Sequence, residues 1–99
     1  MYDILYSTGV AADLRLLRAF DRRRLLDTIQ EQLTWEPLGR SRNRKPLIGL
    51  LPPWEHREPV WELRVGEYRV FYDVDESQRR VIVRAVRRKP PGRRTEDTL

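Results

Sequence analysis

From Trp61 to Asp75 the chain runs W-E-L-R-V-G-E-Y-R-V-F-Y-D-V-D, and apolar and polar residues alternate on both sides of Gly66-Glu67. A period of two is the mark of half-buried strands, and Gly at the first central position of a two-residue loop suits a type II′ turn. The stretch predicts a β-hairpin in which Val65 faces Tyr68, Arg64 faces Arg69, Leu63 faces Val70 and Trp61 faces Tyr72. Trp61, Leu63, Val65, Tyr68, Val70, Tyr72 and Val74 then share the face that the core must cover. Glu62, Arg64, Arg69, Phe71 and Asp73 share the other. Two arginines directly opposite each other repel. An anion lying between them would remove the conflict, so Arg64 and Arg69 form the first candidate site.

The rest of the pattern arranges itself around that hairpin. Tyr2 to Tyr6 predicts a short strand, with Tyr2, Ile4 and Tyr6 on one face. Ser7 or Thr8 sits where an N-cap is wanted, and Val10, Leu14 and Leu17 follow at helical spacing, giving a helix over 8–18. Asp21 can cap a second helix whose apolar face is Leu25 or Leu26, Ile29 and Leu33, ending by Glu36 ahead of Pro37. Arg22, Arg23 and Arg24 would fill its first turn, where the helix dipole disfavours cations. Residues 38–59 predict an irregular basic and proline-rich loop, within which Lys45 to Leu50 can form a short extra strand. Arg79 to Arg88 predicts the last strand, antiparallel to Tyr68–Val74, and Pro90-Pro91-Gly92 stops it ahead of a mobile tail over 90–99. The expectation is a single α+β domain: one small antiparallel sheet of about four strands, a two-helix hairpin packed on one face, and the other face bare.

Charge sharpens the picture. The 99 residues carry 20 Lys and Arg against 15 Asp and Glu, for a net charge of +5. Such a surface fits a polyanion or an acidic protein. Lysine occurs only at Lys45 and Lys89, so arginine, the better bidentate ligand of phosphate, supplies the rest. Arg42, Arg44 and Lys45 in the loop are candidate phosphate contacts, as are Arg84, Arg87 and Arg88 on the last strand; Phe71 is the aromatic that could stack a base. There is no cysteine, and no apolar run approaches the roughly 20 residues needed to span a bilayer. The N-terminus has no charged segment followed by an apolar one, so a cytoplasmic protein is expected. Neither metal-ligand spacing, a phosphate-cradling glycine loop nor a Ser-His-Asp set can be made out, and no cofactor is expected.

The hairpin W-E-L-R-V-G-E-Y-R-V-F-Y-D-V-D resembles the central hairpin of the RelE/ParE superfamily, toxins of bacterial type II toxin–antitoxin modules. The likeness extends to the first strand, the helical pair and a last strand ending in basic residues. It implies one of two activities. RelE-like members cleave messenger RNA in the ribosomal A site without a metal; ParE-like members inhibit DNA gyrase. Both are neutralised by a cognate antitoxin. The leading expectation is a ribosome-dependent endoribonuclease that blocks translation, with ribosome and mRNA as partners. The alternatives are a non-catalytic gyrase inhibitor and an inactive relative that acts only in a toxin–antitoxin complex.

The resemblance makes Arg69 the arginine that contacts the scissile phosphate, gives Arg64 a counterpart in many members, and places Lys89 where RNase members carry a basic residue. It also implies that the last strand faces the opposite way from simple alternation, which puts Val81, Val83 and Ala85 inward and Arg80 and Arg84 in water. The lysines that RNase members carry early in the hairpin correspond to Val60 and Glu62, and the expected C-terminal tyrosine or histidine is missing. Glu62, Glu67, Lys89 and His56 remain for proton transfer, and Glu62 alone shares a face with both arginines.

Overall fold

The computed structural model describes residues 1–99. Strand β1 (Asp3–Tyr6) leads into helices α1 (Thr8–Arg15) and α2 (Ala19–Leu33), followed by β2 (Arg44–Leu47), β3 (Val60–Val65), β4 (Tyr68–Asp75) and β5 (Arg80–Arg88). The five strands form one sheet in the order β1-β5-β4-β3-β2. The hairpin register is the expected one, with Val65 opposite Tyr68, Arg64 opposite Arg69 and Trp61 opposite Tyr72. Gly66 has φ +59° while Glu67 keeps a negative φ, the combination a type II′ turn requires.

The sheet and the second helix depart from expectation. The sheet is mixed, because β1 lies parallel to β5. The helical hairpin carries the chain across one face of the sheet, from β1 at one edge to β2 at the other. The extra strand does form, four residues long, and pairs antiparallel with β3. Helix α2 starts two residues before Asp21, which places that acid in the first turn and moves Arg22–Arg24 beyond its most positive end. The predicted electrostatic conflict is thereby reduced.

Val10, Leu25, Ile29 and Leu33 from the helices meet Trp61, Leu63, Val65, Val70, Tyr72, Val81, Val83 and Val86 in the main core. The buried Tyr72 hydroxyl donates to the Pro37 carbonyl at 2.6 Å, tying the chain beyond α2 to the sheet. Neither helix is long and apolar enough to cross a membrane.

The opposite face is not bare. Leu47, Val60, Phe71 and Ala85 form a second buried cluster, roofed by Leu50, Trp54 and the C-terminal Leu99. The long loop and the tail close over the sheet surface that the helices leave free. That layer exists because Phe71, Val60 and Ala85 present apolar surface there, and burying a side chain of Phe size is worth roughly 1.5–3 kcal/mol.

Both facings expected for β5 occur, on either side of a bulge. The register passes from Phe71 opposite Ala85 to Tyr72 opposite Val83, leaving Arg84 as the extra residue. Val81 and Val83 therefore face the helices, Ala85 faces the second cluster, and Val86 returns to the main core.

Candidate functional site

The turn and the sheet register set three arginines in one row across adjacent strands. Arg64 on β3 lies opposite Arg69 on β4, and Arg69 lies opposite Arg87 on β5. The three differ in what their guanidinium groups do. Arg64 is exposed and makes no ion pair or side-chain hydrogen bond within the chain. Arg69 is buried, with one nitrogen donating to the carbonyls of Gly66 at 2.9 Å and Tyr68 at 2.8 Å. Its Nε stands 3.5 Å from Glu62 Oε1. Burial pushes the Arg69 guanidinium below its ordinary value, Glu62 opposes that shift, and Arg64 adds to it. Arginine starts so high that the group stays charged. Arg87 turns to the sheet edge and donates to Asp13 Oδ2 at 2.8 Å, while Asp13 also accepts the Val86 backbone N–H.

Glu62 is the counter-charge of the row. Its carboxylate is buried and accepts a hydrogen bond from Thr95 Oγ1 at 2.9 Å. Lys45 Nζ stands 3.7 Å from its other oxygen. The repulsion expected from Arg64 and Arg69 is therefore answered partly from within the chain.

Beside Arg69 a cleft of about 270 Å³ opens between the hairpin turn and the chain beyond β5. It is lined by Gly66, Glu67, Arg69, Lys89, Pro90, Pro91, Gly92 and Arg93. Arg69, Lys89 and Arg93 give it a cationic wall. The Lys89 backbone N–H donates to the Glu67 carbonyl at 2.7 Å, which fixes that segment against the turn. The Glu67 carboxylate pairs with Arg88 Nε at 3.1 Å. Arg88 lines a separate cavity with Leu17, Arg18 and Asp21 on the helix side, so this carboxylate is drawn away from Arg69.

Arg64, Arg69, Glu62 and Lys89 are thus brought together at one end of the sheet. The remaining candidates are not. Arg84 is half-buried and paired with the buried Asp73, with contacts at 2.8 and 3.2 Å, instead of lying in water. Phe71 is fully buried and offers no stacking surface. Arg44 belongs to β2, not to a flexible arm, and binds the Gly39 carbonyl, the Gln32 side chain and a carbonyl at the end of α2. Its charge meets the negative end of that helix. Arg42 is exposed, and Lys45 leans on Glu62. His56 Nδ1 lies 2.8 Å from the Trp54 carbonyl, with its ring against the Trp54 indole, in the loop that roofs the second cluster.

Sequence reasoning missed Arg93, Thr95 and Asp73. Asp73 was readable: it sits at an outward position of an alternating strand whose neighbour carries arginines at the same parity. Thr95 carries no signal in the sequence, because a polar residue three positions after a Pro-Pro-Gly stop resembles any tail.

The family model described as "ParE toxin of type II toxin-antitoxin system, parDE" matches residues 4–89. Curated protein sequences give no significant match. Among solved structures, the chain is similar to the archaeal RelE–RelB complex from Pyrococcus horikoshii, with 25% identity and a TM-score of 0.68, covering 94% of this chain and 98% of that one. It is also similar to the RelBE2 toxin–antitoxin complex from Mycobacterium tuberculosis, at 26% identity and a TM-score of 0.69, over 89% and 98% of the two chains. The isolated Escherichia coli RelE toxin shares the fold at 18% identity and a TM-score of 0.69, over 93% and 88%.

Proposed function

We propose, for a chain that belongs to the ParE toxin family of type II toxin–antitoxin systems, that growth arrest comes from gripping and cleaving messenger RNA at the ribosome. The carrying observation is the cationic cleft, in which Arg69, Lys89 and Arg93 converge beside the unpaired Arg64. In such cleavage the ribose 2′-oxygen attacks the neighbouring phosphorus and the bond to the 5′-oxygen breaks. The 2′-proton goes to a base and the leaving oxygen takes a proton from an acid. Rigid cations beside the phosphate stabilise the added negative charge and orient the attack. Arg69, locked to the turn carbonyls, is pre-organised for that role, and Arg64 and Lys89 flank it. The solved relatives at 25% and 26% identity are RelE-type proteins in complex with their antitoxins, which supports an antitoxin as this chain's partner, and the net charge of +5 favours an acidic one.

A second reading, a ParE-like toxin that blocks DNA gyrase without catalysis, is favoured by one observation. Of the two carboxylates beside Arg69, Glu62 is only 4% exposed, and Glu67, although exposed, is paired with Arg88 at 3.1 Å. Induction followed by mapping of mRNA 5′-ends on ribosomes separates the two. RNA cleavage gives ends within codons that vanish in the Arg64→Ala/Lys89→Ala variant while the protein stays folded. Intact mRNA with SOS induction and loss of supercoiling activity would overturn cleavage and install the gyrase reading.

A further inference from the structure

The tail that the sequence leaves as a mobile end crosses the candidate site. After the Pro90-Pro91-Gly92 turn, in which Gly92 takes φ +80°, Arg93 lines the cleft beside Arg69. A single turn of 3-10 helix over Thr95–Asp97 then lays Thr95 on Glu62, and Leu99 reaches the cluster of Leu47, Val60, Phe71 and Ala85. The segment therefore runs from the end of β5 over β4 towards β3 and β2, across the arginine row.

Its attachment is slight. The turn is held by bonds of its own, from the Asp97 N–H to the Arg94 carbonyl, from the Arg94 N–H to Asp97 Oδ2, and from Thr98 Oγ1 to the Thr95 carbonyl. The Arg94–Glu96 ion pair is also internal to the segment. The Arg93 N–H bonds back to the Pro90 carbonyl, and the buried Thr95, with its hydrogen bond to Glu62 Oε1, and the partly buried Leu99 join residues 93–99 to the sheet. Segments with so few buried contacts open locally at a small fraction of the global stability. What they cover here is specific: Thr95 seals the carboxylate that neutralises Arg69, and without it Glu62 is the proton-accepting group nearest the row.

We propose that residues 93–99 are a detachable strap, latched by Thr95 on Glu62 and by Leu99, which keeps a phosphodiester chain off the Arg64–Arg69–Lys89 surface until it lifts. The inference rests on the phosphate reading of the cleft. In the strapped form the cleft takes a single anionic group, whereas a strand of several nucleotides would run into Thr95 and the 3-10 turn. In the lifted form Arg93 leaves with the strap, and Arg64, Arg69, Lys89 and Glu62 share one open surface. The strap thereby accounts for a phosphate site whose carboxylate is hidden.

The test uses the full chain and a Thr95→Val/Leu99→Ala variant, which breaks both latches while keeping every charge. Hydrogen exchange over residues 93–98 reports the strap, with the hairpin over 61–75 as internal control. Binding of a ten-residue oligodeoxyuridylate, which lacks the 2′-hydroxyl and cannot be cleaved, reports the site. The proposal expects exchange in the strap to accelerate at least tenfold with the hairpin unchanged, and the oligonucleotide to bind about tenfold more tightly. Unchanged exchange would overturn the latch. Accelerated exchange with unchanged or weaker binding would overturn the gating and make the strap a clamp or a bystander. A variant with a lifted strap that binds no oligonucleotide at all would remove the phosphate reading itself, and the gating with it.

Discussion

Removing Glu62 tests the electrostatics of the sheet surface most sharply. In the Glu62→Ala variant Arg69 remains buried, with Arg64 and Arg87 as its cross-strand neighbours and no carboxylate 3.5 Å away. Breaking a buried ion pair from one side costs roughly 3–5 kcal/mol, since the other charge is left uncompensated. Arg69 keeps the Gly66 and Tyr68 carbonyls as acceptors, which puts the expected loss at the lower end, about 3 kcal/mol. For a domain of this size that is a fall in Tm of roughly 12–24 °C. Urea denaturation monitored by tryptophan fluorescence measures it directly. Two further arms make the reasoning specific. Glu62→Leu/Arg69→Met should recover all but about 1 kcal/mol, because no buried charge is left alone. Phosphate in place of chloride should narrow the gap between Glu62→Ala and wild type, since an anion can take the place of the lost carboxylate. A loss under 0.5 kcal/mol in Glu62→Ala, or a double variant no better than the single, would refute the claim that Glu62 balances the row.

Asp73→Ala and Arg84→Ala should each cost about 3 kcal/mol, with a double variant that costs less than their sum by at least about 1 kcal/mol; additive losses would mean that the pair in the bulge is not coupled. Tyr72→Phe should cost about 1–2 kcal/mol by leaving the Pro37 carbonyl without its donor. Burial raises the Tyr72 phenol in the folded chain, so its stabilisation is full below about pH 10 and is lost as pH climbs towards the raised value. The alkaline limb of stability against pH should accordingly be shallower in Tyr72→Phe. Asp75 is shifted the other way, chiefly by the Ser77 hydroxyl, with the Gln78 N–H and Arg57 adding to it. Its contribution is present above the ordinary carboxylate range and fades as pH falls through the lowered value, so Asp75→Asn should flatten the acid limb. An unchanged acid limb would contradict that assignment.

The hairpin was legible because its information is local. Alternation sets the facing, Gly66 sets the turn, and the turn sets the register that aligns Arg64 with Arg69. The helices were legible for the same reason, although spacing alone leaves Leu25 and Leu26 as alternatives for the face that Leu25, Ile29 and Leu33 form. What could not be read depends on contacts between distant segments. The parallel pairing of β1 with β5 follows from where the helical hairpin returns the chain, which periodicity does not encode. The bulge at Arg84 hides in an apparently regular strand, since V-I-V-R-A-V carries enough apolar residues to fit either parity. The second cluster is not legible because Phe71 reads as a lone aromatic on an open face, while Leu47, Leu50, Trp54 and Leu99 lie far from it in sequence. Of the site, the charges were legible and their internal partners were not. Glu62 shares a face with the arginines as expected, but nothing in the sequence tells that Thr95 would cover it.

A phosphate group held among Arg64, Arg69, Lys89 and Arg93, as proposed, would be read out directly by side-chain nitrogen resonances. Titration of isotopically labelled protein with a dinucleotide phosphodiester should move the Arg69, Arg64 and Arg93 guanidinium signals in saturable fashion. The signals of Arg44 and Arg84, engaged within the fold, should stay in place. Shifts that never saturate and spread evenly over all exposed arginines, or an Arg69 signal that does not move, would contradict the account.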